Sequence, residues 1–188
     1  MTAETKLTLP TQTLENAPAP GRKVLEKAKA QVGFIPNMYA NMVNSPGLLD
    51  TYLDGYARFR AESGFTPIEQ EVVFLVVSRA NGCNYCTAAH SMIADKMSKV
   101  PADVLQALRA GTPIADPKLA ALAQFTQVMF DTRGRPAAAG TQAFLAAGYG
   151  ERQALEIVLA MAVKTLSNYA NHLFHTPVDD MFAAYKVA

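Results

Sequence analysis

The stretch EVVFLVVSRANGCNYCTAAH, Glu71–His90, holds the only two cysteines of the chain and one of its three histidines. Just ahead of it, Thr66-Pro67-Ile68-Glu69 supplies a Thr N-cap, a Pro at the first helical position and a Glu spaced for a capping box. That start predicts a helix running to about Ala80. The run Val72–Val77 has the β-branched content of a buried strand, but its cap and length select a fully buried helix. Asn81-Gly82 stops it. Cys83 follows at once, which puts the cysteine pair at the start of a second helix continuing to about Ser98.

Working outward, residues 22–32 and 46–61 carry apolar positions at spacings of three and four, among them Leu48, Leu49, Tyr52, Leu53 and Tyr56. Pro101 opens a short helix ending at Gly111, and Asp116-Pro117 caps another to about Asp131. A small segment at 138–147 leads to a long last helix, roughly 151–172, before Thr176-Pro177. The expectation is an all-α fold of eight or nine helices with no strand. Residues 1–20, polar and proline-containing, are expected to form an extended arm that frays or wraps a neighbouring subunit. Residues 21–188 form one helical domain.

The chain has 188 residues, half of them hydrophobic and 18% charged, with a formal net charge of +1. Such a chain buries a substantial core. It has no basic cluster and no aromatics interleaved with Lys or Arg, so nucleic acid is excluded as a partner. Its longest apolar runs, near 71–77 and 154–163, are too short to span a bilayer, and the N-terminus lacks a secretory apolar core. A cytoplasmic protein is expected, where a close cysteine pair is redox-active or metal-binding rather than a structural staple. The high Ala, Val, Leu and Met content points to apolar surface covered by a second copy of the chain.

The chemistry lies in the spacing. A two-residue gap lets Cys83 and Cys86 close into a disulfide, and four residues put Cys86 and His90 on one helix face. A helix N-terminus stabilises a thiolate, most of all at Cys86 in the first turn. Cys86 is therefore the candidate nucleophile and Cys83 the resolving thiol, with His90 as proton acceptor or donor. Glu71, heading a buried run, must be paired or carry a raised pKa, and pairing with His90 would satisfy both groups. Duller readings exist for each residue. The cysteines can be inert core residues, His90 a satisfied core histidine, and Glu71 a solvent-facing residue at the helix start. Cys83, Cys86 and His90 offer three of the four ligands of a zinc site, but no fourth stands near, so no metal and no other cofactor is expected.

Glu71, Cys83, Cys86 and His90, at these spacings on two consecutive helices, resemble the AhpD-like alkylhydroperoxidase group of the carboxymuconolactone decarboxylase-like superfamily. The resemblance is strongest over about 45–125. Asn168-Tyr169-Ala170-Asn171-His172 with Thr176-Pro177-Val178-Asp179 is similar to its peroxidase-related subgroup. The resemblance implies an AhpD-like helical bundle, homo-oligomeric as a dimer, trimer or hexamer. It also implies peroxide reduction in which Cys86 attacks, Cys83 resolves, and Glu71 and His90 relay protons. The implied partners are a peroxide and a thiol or dihydrolipoyl-type reductant. The best-studied members carry a second histidine immediately before the second cysteine. Here that position is Tyr85, which donates a hydrogen bond but is a poor proton carrier near neutral pH. Asn168, Asn171 and His172 are candidates to line a cavity, or else to cap their helix and meet another subunit. Two alternatives stay open: a carboxymuconolactone decarboxylase-like lyase and a non-enzymatic redox-sensing oligomer.

Overall fold

A computed structural model describes residues 4–187. Among them run nine α-helices and no strand: α1 (Ala19–Val32), α2 (Asn37–Met42), α3 (Pro46–Glu62), α4 (Pro67–Ala80), α5 (Asn84–Lys96), α6 (Ala102–Ala110), α7 (Pro117–Asp131), α8 (Ala138–Ala146) and α9 (Glu151–Phe174). A 3₁₀ turn, Asp180–Tyr185, follows them. The expected all-α class is what the chain adopts. Two elements went unforeseen. α2 is six residues long with Met38 to Met42 all buried, so it shows no amphipathic period, and the 3₁₀ turn is too short to leave one.

α4 is the central helix. Thr66 Oγ1 accepts from the Glu69 N–H at 3.3 Å and Glu69 Oε2 accepts from the Thr66 N–H at 2.8 Å, a complete capping box. Every residue from Glu69 to Ser78 is buried, because α5, α7 and α9 pack against α4. A helix buried on all sides has no solvent face to offer, so its polar residues Glu69, Gln70 and Glu71 find partners inside the protein. Its end is equally defined. Gly82, at φ 67°, takes the left-handed position, the Gly82 N–H reaches Arg79 O and the Cys83 N–H reaches Ser78 O, both at 2.9 Å. These two bonds make a Schellman stop, and the stop sets Cys83 as the N-cap of α5.

Two apolar clusters result. Phe59, Phe74, Leu122, Phe125, Phe144 and Ile157 fill the space around α4, α7 and α8. Leu25, Met42, Leu49, Tyr52 and Val163 form the second, which includes both cysteines. α3 crosses α9 closely at Gly55, where a β-carbon would stand 2.8 Å from Val163 Cγ2. Residues 4–18 lie along α2 and the end of α9 of the same chain: the Leu7 N–H donates to Leu173 O at 2.8 Å and the Gln12 N–H to Ala40 O at 2.9 Å. Residues 1–3 of the expected arm lie outside the described residues. Among those described, no helix is long and apolar enough to cross a membrane.

Candidate active site

Both cysteines are free and buried at the start of α5. Cys83 Sγ, as the helix cap, accepts from the Cys86 N–H at 3.5 Å. α9 closes over the pair from the other side. Asn171 Nδ2 donates to Cys86 Sγ at 3.3 Å and reaches Cys83 Sγ at 3.8 Å, and Ser167 Oγ lies 3.8 Å from Cys86 Sγ. Burial opposes the Cys86 thiolate, but the Cys83 thiol hydrogen bond, the Lys164 charge and Ser167 outweigh it and hold Cys86 well below the usual thiol range. Cys83 moves the other way, pushed up by its hydrogen bond to Cys86 and by burial. The pair therefore carries its negative charge on Cys86, with Cys83 as the protonated donor.

One turn along α5, His90 Nδ1 lies 2.9 Å from Glu71 Oε2. Glu71 is fully buried. Burial opposes its ionisation, but His90 and Arg60, both bonded to it, outweigh that and keep its carboxyl below the ordinary range. A carboxylate only accepts, so His90 carries its proton on Nδ1 and leaves Nε2 with a free lone pair. Burial and the Lys164 charge bring the imidazole down to about 4 despite Glu71. His90 is thus a neutral base at pH 7.

A stability consequence follows from that value. Between about 4 and the ordinary 6.5 the unfolded chain binds a proton at this site that the folded chain excludes. Stability therefore falls as pH drops through that window, by roughly 3 kcal/mol in total. Urea unfolding at pH 7 and pH 4.5 should show the loss, and His90→Gln should remove most of it. Identical pH slopes for parent and variant would contradict the assignment.

Cys86 and His90 open onto a cavity of about 280 Å³ walled by Tyr39, Tyr52, Tyr56 and Tyr85, with Phe34 and Met92 among its apolar lining. Cys83 and Glu71 do not line it, which leaves Cys86 as the thiol a small molecule meets. Among the described residues, no group of three or more His, Cys, Asp and Glu side chains is arranged to hold a metal.

Residues 46–127, which span Glu71, both cysteines and His90, match the model of the carboxymuconolactone decarboxylase family. The match covers the segment that carries the candidate site, so this part of the chain is similar to that family. No curated protein matches it in sequence. The fold recurs in the alkylhydroperoxidase AhpD core, an uncharacterized peroxidase-related protein from Ralstonia eutropha JMP134, with TM-score 0.79, 22% identity and 93% of each chain covered. It recurs in an uncharacterized peroxidase-related protein from Silicibacter sp. TM1040, with TM-score 0.74, 22% identity, and 98% of this chain and 95% of that one covered. The debrominase Bmp8, a cysteine-to-alanine variant in complex with 2,3,4-tribromopyrrole, has TM-score 0.78 at 17% identity over 97% of each chain.

In this chain the position just before the second cysteine is tied down structurally. The Tyr85 hydroxyl donates to Asp179 Oδ2, whose Oδ1 accepts from the Asn37 N–H at 3.1 Å. Its ring meets Phe182 edge-on at 6.1 Å. The Tyr185 hydroxyl donates to Asp95, and Arg109 Nη1 donates to Tyr185 O at 2.9 Å. The C-terminal turn is thereby strapped beside the cavity, with Met181 and Phe182 in its wall. Tyr85→Phe deletes a bond to a carboxylate worth roughly 1.5–3 kcal/mol. Limited proteolysis beyond Pro177 should speed up about tenfold or more, and an unchanged cleavage rate would contradict the strap.

The last helix holds what sequence reasoning left open or missed. Asn171 sits on the sulfurs, whereas Asn168 Oδ1 accepts from Asn81 Nδ2 at 2.9 Å. His172 stacks on Tyr169 at 6.3 Å. None of the three lines the cavity. Lys164 and Arg60 were not foreseen. Lys164 was hidden because residues 154–163 read as a core run, yet Ala160, Lys164, Ser167 and Asn171 recur at spacings of four, three and four. That rhythm puts the lysine on the buried face.

Proposed function

We propose that this chain is a two-cysteine peroxidase of the alkylhydroperoxidase type. The Cys86 thiolate attacks the terminal oxygen of a hydroperoxide, forming the S–O bond of a sulfenic acid as the O–O bond breaks and an alcohol leaves. Cys83 then attacks that sulfur, the S–S bond forms and water departs. A thiol or dihydrolipoyl-type dithiol returns both cysteines to the reduced state. His90 Nε2 takes the Cys83 thiol proton as the S–S bond forms and hands it to the departing hydroxide, while Glu71 fixes the ring and its tautomer. The observation that carries this reading is the division of labour between the sulfurs: Cys86, held anionic, faces the cavity, and Cys83 stands behind it as a protonated donor.

Reduced protein is expected to consume one equivalent of cumene hydroperoxide without added reductant, and to turn over when dihydrolipoamide is present. Protein that consumes none contradicts the reading. Activity that survives alkylation of both thiols would favour the lyase chemistry for which the family is named. A second reading comes from Bmp8. A small cavity walled by four tyrosines also suits a halogenated ring, and bromide release from a bromopyrrole by the reduced protein would support it.

Homo-oligomerisation belongs to the same proposal. Leu155, Val158, Tyr169 and Leu173 form an exposed apolar stripe along α9, with Leu155 71% and Tyr169 53% exposed. A second copy of the chain would cover it.

A further inference from the structure

Beside Glu71, His90 and Cys86 stands a cation whose charge acts on the thiol and the imidazole. Lys164, on α9, is fully buried, and its Nζ has no hydrogen-bond partner. The Phe74 ring lies 5.5 Å from it. A buried ammonium is costly unless something compensates it, and a ring face does so only in part. Lys164 also lines the cavity together with Cys86 and His90. On the same helix, Ser167 and Asn171 lie against the Cys86 sulfur. The unpartnered donor therefore shares the compartment in which the peroxide must sit.

Cleavage of a hydroperoxide by a thiolate expels an alkoxide, a strong base that needs a proton as it departs. The neighbouring groups are badly placed to supply it. His90 Nδ1–H is committed to Glu71, and its Nε2 carries no proton near neutral pH. The Tyr85 hydroxyl is committed to Asp179. The Tyr56 oxygen accepts from Arg60, and its O–H, like those of Tyr39 and Tyr52, is held above the usual phenol range by burial and is a poor proton source. A cationic N–H donor aimed at developing negative charge in a water-poor site is an effective way to stabilise it.

Building on the peroxidase reading, we propose that Lys164 Nζ is the catalytic acid of this site, holding and protonating the leaving oxygen while Cys86 attacks. The Cys86 thiolate forms its S–O bond, the O–O electron pair passes to the departing oxygen, and Lys164 delivers the proton that makes the alcohol. Lys164 is left as a neutral amine. Disulfide formation with Cys83 releases water and is itself proton-neutral. Reduction by a dithiol returns Cys83 as a thiol and Cys86 as a thiolate, freeing one proton, which restores the ammonium. The favoured substrates are then apolar alkyl or aralkyl hydroperoxides of about single-ring size, whose alkoxides leave poorly without help.

The choice of leaving group separates this role from mere support of the thiolate. Peroxyacetic acid expels a carboxylate and needs no proton, whereas cumene hydroperoxide does. Single-turnover oxidation of reduced parent and Lys164→Met, followed by intact mass, gives the rate with each oxidant. Lys164→Met should slow oxidation by cumene hydroperoxide on the order of 100-fold more than oxidation by peroxyacetic acid. Lys164→Arg, which keeps a cationic donor, should recover part of the difference. Lys164→Gln gives the same ratio should methionine at this position unfold the chain. Equal slowing with both oxidants would overturn the proposal, because it would assign Lys164 only to the Cys86 thiolate population. A parent inert to both oxidants would instead overturn the peroxidase reading beneath it.

Discussion

Cys86→Ser is expected to abolish hydroperoxide consumption, with a loss of at least about a thousandfold, because no other thiol lines the cavity. Cys83→Ser is expected to behave differently. Its Cys86 still meets the peroxide, although without the thiol that donates to it, so the first oxidation slows but proceeds. The product then has no resolving partner and persists as a sulfenic acid, which dimedone captures at Cys86. Single-turnover mass measurements on the two variants separate these outcomes. The reverse pattern, with Cys83→Ser inert and Cys86→Ser oxidised at Cys83, would exchange the two roles. Two variants as active as the parent would remove the cysteines from the reaction.

The second large effect is expected at Glu71. Glu71→Ala takes the shared acceptor from Arg60 and His90 and leaves a guanidinium and an imidazole facing an apolar gap. Removing one partner of a buried ion pair costs about 3–5 kcal/mol, a large share of the roughly 5–15 kcal/mol that holds a domain together. Urea unfolding should show that loss, and a change below about 1 kcal/mol would contradict the pairing. Glu71→Gln tests the chemistry rather than the fold. The amide fills the same space but offers an N–H to one of its two neighbours. Where that N–H faces His90, the ring accepts it at Nδ1 and turns an N–H toward the cavity in place of a lone pair. Peroxide consumption should then fall by about 10²- to 10⁴-fold while most of the stability remains.

Much of this arrangement is written locally. Thr66, Pro67 and Glu69 announce the start of α4, and Asn81-Gly82 its end, because caps and left-handed stops are chemistry within six residues of chain. The Cys83 cap and the position of Cys86 in the first turn follow from that stop. The Glu71–His90 contact was foreseen because the two helices share one tight turn, which keeps their facing residues close. What remained hidden is non-local. Asn171 reaches Cys86 across 85 residues, and Arg60 reaches Glu71 from a separate helix. No spacing rule within one element records such a meeting. Lys164 was obscured for another reason: a single charge in an apolar helix reads as its solvent edge until the register shows it facing the core. α2 and the last 3₁₀ turn are shorter than the periods by which helices are read.

The strap through Tyr85 bears on what the cavity admits. Where a histidine would carry protons, this chain has a phenol bound to Asp179, with Met181 and Phe182 narrowing the cavity behind it. On the proposed reading, His90 is the group left to accept protons. The mostly apolar and phenolic lining around Lys164 then favours, on the peroxidase reading, an organic peroxide over hydrogen peroxide.

The central claim is that a sulfur anion at Cys86 is oxidised by peroxide and then captured by Cys83 within the same chain. Intact mass of the reduced protein after one equivalent of cumene hydroperoxide tests it most directly. The account predicts the loss of two hydrogens, a Cys83–Cys86 linkage in the peptide map and full recovery of the starting mass with a dithiol. An unchanged mass, or added oxygen with no linkage between the two cysteines, would contradict it.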